Sequence, residues 1–192
     1  MDLKKKECLL RSTEKGQIGW TLGLWFLLFL GILLCALLQL EAYRASQQYM
    51  EDALAASNLA AAVIDVEEYG ISHKLRISSP GEAYERYRSA VRGNLNLNDG
   101  WECENRGLIS GPVQIENFTV YNVSGSQVEA HCFGKNGEET RWQGTLGQET
   151  APNGMKVEST GIYSEISYQI KGVLGVRVTA RKGKLVDVVR NN

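Results

Sequence analysis

The feature that most constrains this chain is the uncharged run over residues 16–40, which contains Leu-Trp-Phe-Leu-Leu-Phe-Leu at 24–30. As a helix it would reach about 37 Å, more than the roughly 30 Å hydrocarbon core of a bilayer requires. It predicts a single membrane span. Lys4, Lys5, Lys6, Arg11 and Lys15 stand before it, whereas across residues 41–68 Arg44 is the one basic residue among Glu41, Glu51, Asp52, Asp65, Glu67 and Glu68. The positive-inside rule then places the N-terminus in the cytoplasm and the rest of the chain outside. A secretory signal would carry a shorter apolar region and a small-residue cleavage site. The stretch Ala42-Tyr43-Arg44-Ala45-Ser46 has bulky residues where small ones are needed, and a large Leu34 precedes Cys35. A retained anchor at the cell membrane is therefore expected, with Cys35 as a small apolar residue facing lipid.

Of the 192 residues, about 150 remain once the basic tail and the span are set aside, enough for one domain with its own core. The net charge of −1 gives no basic surface for nucleic acid, so no nucleic-acid partner is expected. The cysteines divide by compartment: Cys8 inside, Cys35 in the bilayer, Cys103 and Cys132 outside.

The segment after the span keeps a helical rhythm while losing its hydrophobicity. Tyr43, Gln47, Met50, Leu54, Ser57, Ala61 and Ile64 recur at spacings of three and four, with Ser46, Tyr49, Ala53, Ala56, Ala60 and Val63 beside them. The pattern predicts an amphipathic helix over 41–69 that continues the membrane helix. Its candidate packing face is Tyr49, Ala53, Ala56, Ala60 and Val63, buried either on its own sheet or on a partner helix. Ser79-Pro80-Gly81-Glu82 reads as a capping box with Pro at the first helical position, opening a second helix with the stripe Tyr84, Tyr87, Val91 and Leu95.

After Trp101 the period changes to two, the mark of antiparallel β-structure. A strand over 113–123 shifts phase between Ile115 and Phe118, which predicts a bulge. Ser124-Gly125-Ser126 turns into a strand with Val128, Ala130 and Cys132 on one face. Asn136-Gly137 turns again, toward Thr140 and Trp142. Residues 162–170 alternate, and 176–180 with 185–189 are expected to form a hairpin around Lys182-Gly183-Lys184. The fold class is α+β. A tail (1–15), a span (16–40) and a helix (41–69) precede an exported domain (70–192) that is mostly antiparallel sheet of about five to seven strands.

No enzymatic motif is legible. His73 and His131 form no H-x-x-x-H pair, and no G-x-S-x-G, P-loop or G-x-G-x-x-G stretch occurs. His131 reads as a half-exposed strand residue, and Glu67-Glu68, Glu138-Glu139, Asp99 and Glu102 as solvated turn residues without calcium-loop spacing. No cofactor or metal is expected. Cys103 and Cys132 are the candidate disulfide, on adjacent strands, closing a loop of about 30 residues and contributing roughly 3 kcal/mol. The alternative is two free thiols. Asn117-Phe118-Thr119 and Asn122-Val123-Ser124 match glycosylation sequons.

A basic tail, one long helix half in the bilayer and a terminal β-sheet domain form the plan of type IV pilins and pseudopilins. Lys15-Gly16-Gln17 before the apolar run, the Glu41-x-x-Arg44 exit, the alanine-rich 53–62 stretch, Asn94-Leu95-Asn96-Leu97 and Val120-Tyr121-Asn122-Val123 resemble the TadE/TadG-like minor pilins of tight-adherence pilus systems. The likeness covers the first 66 residues best. It departs at Thr21, where the family's processed members carry Glu; relatives that stay uncleaved remain compatible. The resemblance implies a non-enzymatic envelope subunit whose partners are the bilayer, other pilin-like subunits or pilus assembly platform proteins. A membrane-anchored ligand-binding or sensor module and an enzyme with an unfamiliar site stay open, the first requiring an apolar pocket with converging polar groups.

Overall fold

The computed structural model describes residues 3–103, 109–172 and 175–188, with side chains from Gly19 onward. The chain is α+β: helices α1 (Leu3–Ala61), α2 (Val66–Ser72) and α3 (Pro80–Asn94) precede strands β1 (Ile109–Ser124), β2 (Gln127–Gly134), β3 (Glu139–Thr145), β4 (Gly161–Lys171) and β5 (Arg177–Asp187). It divides into two compact units, Met1–Ala42 and Tyr43–Asn192. The first is helix.

In the second unit the strands form one sheet in the order β3-β2-β1-β4-β5, every neighbouring pair antiparallel. The hairpins close where turn residues stand. Ser124 pairs with Gln127 across Gly125-Ser126, and Gly137 takes φ 77 in the β2–β3 turn, a conformation that costs a residue with a Cβ. The expected bulge is present, since the β1–β4 register shifts between Ile115 and Asn117.

Side chains alternate across the sheet and bury both faces. Phe118, Val120, Phe133, Ile162, Ile166 and Ala180 point to the helices, where they meet Met50 and Leu54 of α1 and Tyr84, Tyr87 and Val91 of α3. Aromatic rings fill the centre: Tyr84 stacks on Phe133 at 4.8 Å between centroids and Tyr87 lies 4.7 Å from Phe118. Tyr121, Val128, Ala130, Tyr163 and Leu185 face the other way. Ala151 and Val157 of the long β3–β4 connection cover them.

Two expectations are corrected. The helix does not run to residue 69: α1 stops at Ala61, and α2 restarts with Asp65 as N-cap, its side chain accepting from the Glu68 N–H at 2.9 Å. The β-branched Val63, Ile64 and Val66 favour the break, and Asp65-x-x-Glu68 is a capping pattern that the even apolar rhythm concealed. Residues 177–180 and 185–187 belong to one continuous strand, β5, and Lys182-Gly183-Lys184 lies in its middle, paired in turn with Ile166, Glu165 and Ser164 of β4. A Cβ on Gly183 would collide with the Tyr163 hydroxyl and ring, so the glycine serves close packing and not a turn. Val189 lies outside the described residues.

Candidate functional site

Residues 19–40 are exposed along their whole length, including Trp20, Trp25, Phe26 and Phe29. This part of α1 reaches a mean hydropathy of 2.6 and is, among the described residues, the one helix long and apolar enough to cross a membrane. Cys35 is exposed within it.

The face that α1 buries in the second unit differs from the candidate packing face. Ala53 is buried, but Tyr49 is 46% exposed, Val63 is 51% exposed, and Ala56 and Ala60 are exposed. The buried stripe is Ser46, Met50, Leu54, Ser57, Asn58 and Ala61. Of the two expected burial sites the sheet is not the one this face takes, and geometry gives the reason: at about 100° per residue Ala56 lies roughly 200° around the helix from Leu54. Size also decides, because Met50 and Leu54 exclude more water than the alanines. Tyr49 sits at the rim, its hydroxyl donating to the Asn94 carbonyl at 3.1 Å, and the Asn94 amide reaches Ser57 Oγ at 2.9 Å. α1 and α3 are thereby joined.

Polar contacts fix the helix on the sheet edge. Lys182 and Lys184 both reach Glu51, each at 2.7 Å, because a spacing of two on β5 puts both side chains on the helix face. These hydrogen bonds hold the Glu51 carboxyl down at about 2, against an ordinary 4.5. About two turns further on, Asn58 donates to the carbonyls of Ile162 and Lys184 at 3.3 and 3.0 Å. This junction escaped the sequence reading, which took Lys182-Gly183-Lys184 for a turn. The available signal was a pair of like charges at strand spacing.

Cys103 and Cys132 are both free, and the expected bridge is not formed. Cys103 belongs to no strand: it forms a lone bridge opposite Leu97, packs against the helix-side core, and its thiol donates to the Leu95 carbonyl at 3.3 Å. Cys132 is in β2 between Thr119 and Thr140, in phase with Val128 and Ala130 of the opposite cluster. Cys103 thus packs with the cluster on the helix side of the sheet, while Cys132 is in phase with the cluster on the other side.

His131 is buried, contrary to expectation. Its Nδ1 lies 2.9 Å from Glu139 Oε1 and its Nε2 3.2 Å from Glu129 Oε1. Glu139 is also gripped by Arg141, first of the two causes that lower its carboxyl to about 2, His131 being the second. Arg76 bonds Glu129 at 3.3 Å. Each of these carboxylates is thus engaged by cations at the sheet rim. Among the described residues no group of three or more His, Cys, Asp and Glu could hold a metal ion. Of the two sequons, Asn122 is buried with its amide exchanging two hydrogen bonds with the Ile77 backbone, which leaves no room for a glycan on the folded chain.

One surface groove of about 370 Å³ runs past Tyr84, Arg88, Trp101, Pro112 and Lys135. Arg88 stands over both the Tyr84 and Trp101 rings at 5.8 Å, and Trp101 holds φ 61. It is an open trough and not the enclosed apolar pocket that a sensor module calls for. No family model, no curated protein and no solved structure matches the chain.

Proposed function

We propose that this chain is a non-catalytic, single-pass, pilin-like envelope subunit of the TadE/TadG type, with its N-terminus in the cytoplasm and its sheet domain outside. The observation that carries the reading is the composition of α1. Its 19–40 stretch is apolar and exposed throughout, while its 46–61 stretch supplies Met50, Leu54 and Ala61 to the core of an antiparallel sheet domain. One helix that serves as anchor and as core element is the pilin plan. Supporting it, each clustered carboxylate at the His131 rim is engaged by Arg or His, a structural use that leaves none poised for acid–base work. The basic residues before position 16 support the orientation.

The exposed side of α1, with Tyr49, Ala56, Ala60 and Val63, is the surface this reading gives to other pilin-like subunits or to the assembly platform, since small side chains allow helices to approach closely. Deleting the gene should abolish or alter surface pili. Restoring it with both His73 and His131 changed to Gln should rescue them. Piliation that survives the deletion overturns the pilin reading, and a folded double-His variant that fails to rescue overturns the non-catalytic part.

A further inference from the structure

The sheet is open, with β3 and β5 as its edges, and an edge offers backbone groups that another strand can pair. The β2–β3 bonds fix which groups β3 offers. Gly134 N–H donates to the Glu138 carbonyl and Leu146 N–H to the Ser126 carbonyl, so in this register the even-numbered residues of β3 bond β2. The N–H and carbonyl groups of Glu139, Arg141 and Gln143 therefore point away from the sheet, and among the described residues no backbone group meets them. Every residue of β3 except Gly144 is exposed. The two edges differ in charge. β5 carries Arg177, Arg181, Lys182 and Lys184 against Asp187, an excess that repels a copy of itself. β3 contains no Pro or Lys and pairs with β2 without a bulge, so it lacks the devices that usually blunt an edge. Its charges cancel, since the Arg141 guanidinium donates twice to the Glu139 carboxylate, at 2.8 and 2.9 Å.

We propose that β3 pairs antiparallel with β3 of a second copy of this chain, about a two-fold axis at Trp142, so that two sheets join into one. Both edges bond only when odd-numbered residues face odd-numbered ones, which puts the axis on a residue of the strand. An axis at Arg141 sets Arg141 against Arg141, like charges directly opposed. Axes at Thr140 or Gln143 leave part of the strand unopposed. At Trp142 all seven residues of β3 find partners: Glu139 faces Thr145, Arg141 faces Gln143, and Trp142 faces Trp142. That axis falls at a non-bonded pair, where side chains from the two strands come closest. Trp142 is 37% exposed, with its indole N–H held by Glu149 at 2.8 Å, and it meets its copy as a cross-strand aromatic pair. The Thr145 carbonyl already accepts from the Gln148 and Glu149 N–H groups, which leaves about six backbone hydrogen bonds across the seam. The seam is isologous and closes at two copies. It is separate from the exposed side of α1 and does not depend on the pilin reading.

The test uses the full chain in the membranes of expressing cells, with Cys8, Cys35, Cys103 and Cys132 changed to Ala. Single cysteines at Thr140, Arg141, Trp142, Gln143 or, on the other edge, Val178 are oxidised with copper phenanthroline and read as dimer on a non-reducing gel. Dimer at 142, several-fold above that at the other positions, is expected. To keep the tryptophan in place, differently tagged Arg141→Cys and Gln143→Cys chains are expressed together, and their mixed disulfide should exceed either self-disulfide. Gln143→Pro removes one outward N–H while sparing the bonds to β2, and it should abolish the dimer at 142 with the unfolding temperature unchanged. Dimer at every position no higher than at 178, with no mixed disulfide, overturns the pairing. A maximum at 140, 141 or 143 overturns the axis at Trp142. Dimer at 142 that survives Gln143→Pro shows a contact without backbone pairing and overturns the proposal as well. If the proline variant does not fold, the mixed 141–143 disulfide decides, its absence overturning the pairing.

Discussion

At the scale of single residues, the most informative groups are those that hold one layer on another. Glu51 is gripped by Lys182 and Lys184, and its carboxyl sits at about 2 against 4.5 when free. A lowered carboxyl pKa stabilises the fold above the unfolded value and loses that stability as pH falls toward the folded one, here from about 4.5 to about 2. The side chain is 35% exposed, so solvent screening reduces the contribution to about 1 kcal/mol. Glu51→Gln should therefore lower stability by about that amount at pH 7. Urea unfolding should show the gap from wild type closing between pH 4.5 and 2, while Glu139 goes on titrating in both proteins. A gap that is constant with pH would mean that the ion pairs contribute nothing. Gly183 tests the sheet's other face. Gly183→Ala sets a Cβ against the Tyr163 hydroxyl and ring and should cost about 1–3 kcal/mol. Tyr163→Phe removes the closest of these atoms. A double-mutant cycle should then show favourable coupling, and simple additivity would place the strain elsewhere.

Between elements, the contrast is between two faces of one helix. Leu54 is 1% exposed and Ala56, two positions on, is exposed. Leu54→Ala should destabilise the domain by about 2–5 kcal/mol, whereas Ala56→Glu should leave its unfolding midpoint within error and show its effect, under the proposed function, on pilus assembly alone. A large loss of stability from Ala56→Glu would return that face to the interior. The same helix shows what the sequence made legible. Periodicity identified α1, the α3 stripe, the bulge after Ile115 and the Asn136-Gly137 turn, because each is a local pattern that backbone geometry requires. It could not rank two adjacent helical stripes. That ranking is made by the sheet, whose Ile162, Ile166 and Ala180 select Met50 and Leu54 over smaller neighbours. Lys182-Gly183-Lys184 failed for a related reason: what calls for glycine there is Tyr163, twenty residues earlier in the chain, and what calls for the lysines is Glu51. The cysteine pairing failed because spacing says nothing about which face of a sheet a thiol takes. Asp65-x-x-Glu68 and the two lysines at strand spacing are the local signals that these residues do carry.

For the whole molecule, the two compact units make opposite demands on solvent. Residues 19–40 expose Trp, Phe and Leu side chains throughout, which water does not tolerate and lipid does. The second unit is self-sufficient. Among the described residues both of its clusters are drawn from Met50 to Val188, and Glu51 holds α1 to the sheet through Lys182 and Lys184. A fragment covering residues 43–192 is therefore expected to fold in plain buffer, with one cooperative urea transition followed alike by far-ultraviolet dichroism and by the tryptophan emission of Trp101 and Trp142. Its helix keeps the Met50, Leu54 and Ala61 contacts, so only the first turn, from Tyr43, should fray. The full chain should need detergent or lipid to stay dispersed, yet its domain should unfold at the same denaturant concentration as the fragment. A fragment that is unfolded or aggregated in buffer would mean that the anchor half of α1 is needed to hold the second half helical, and the division into an anchor and an independent domain would fail.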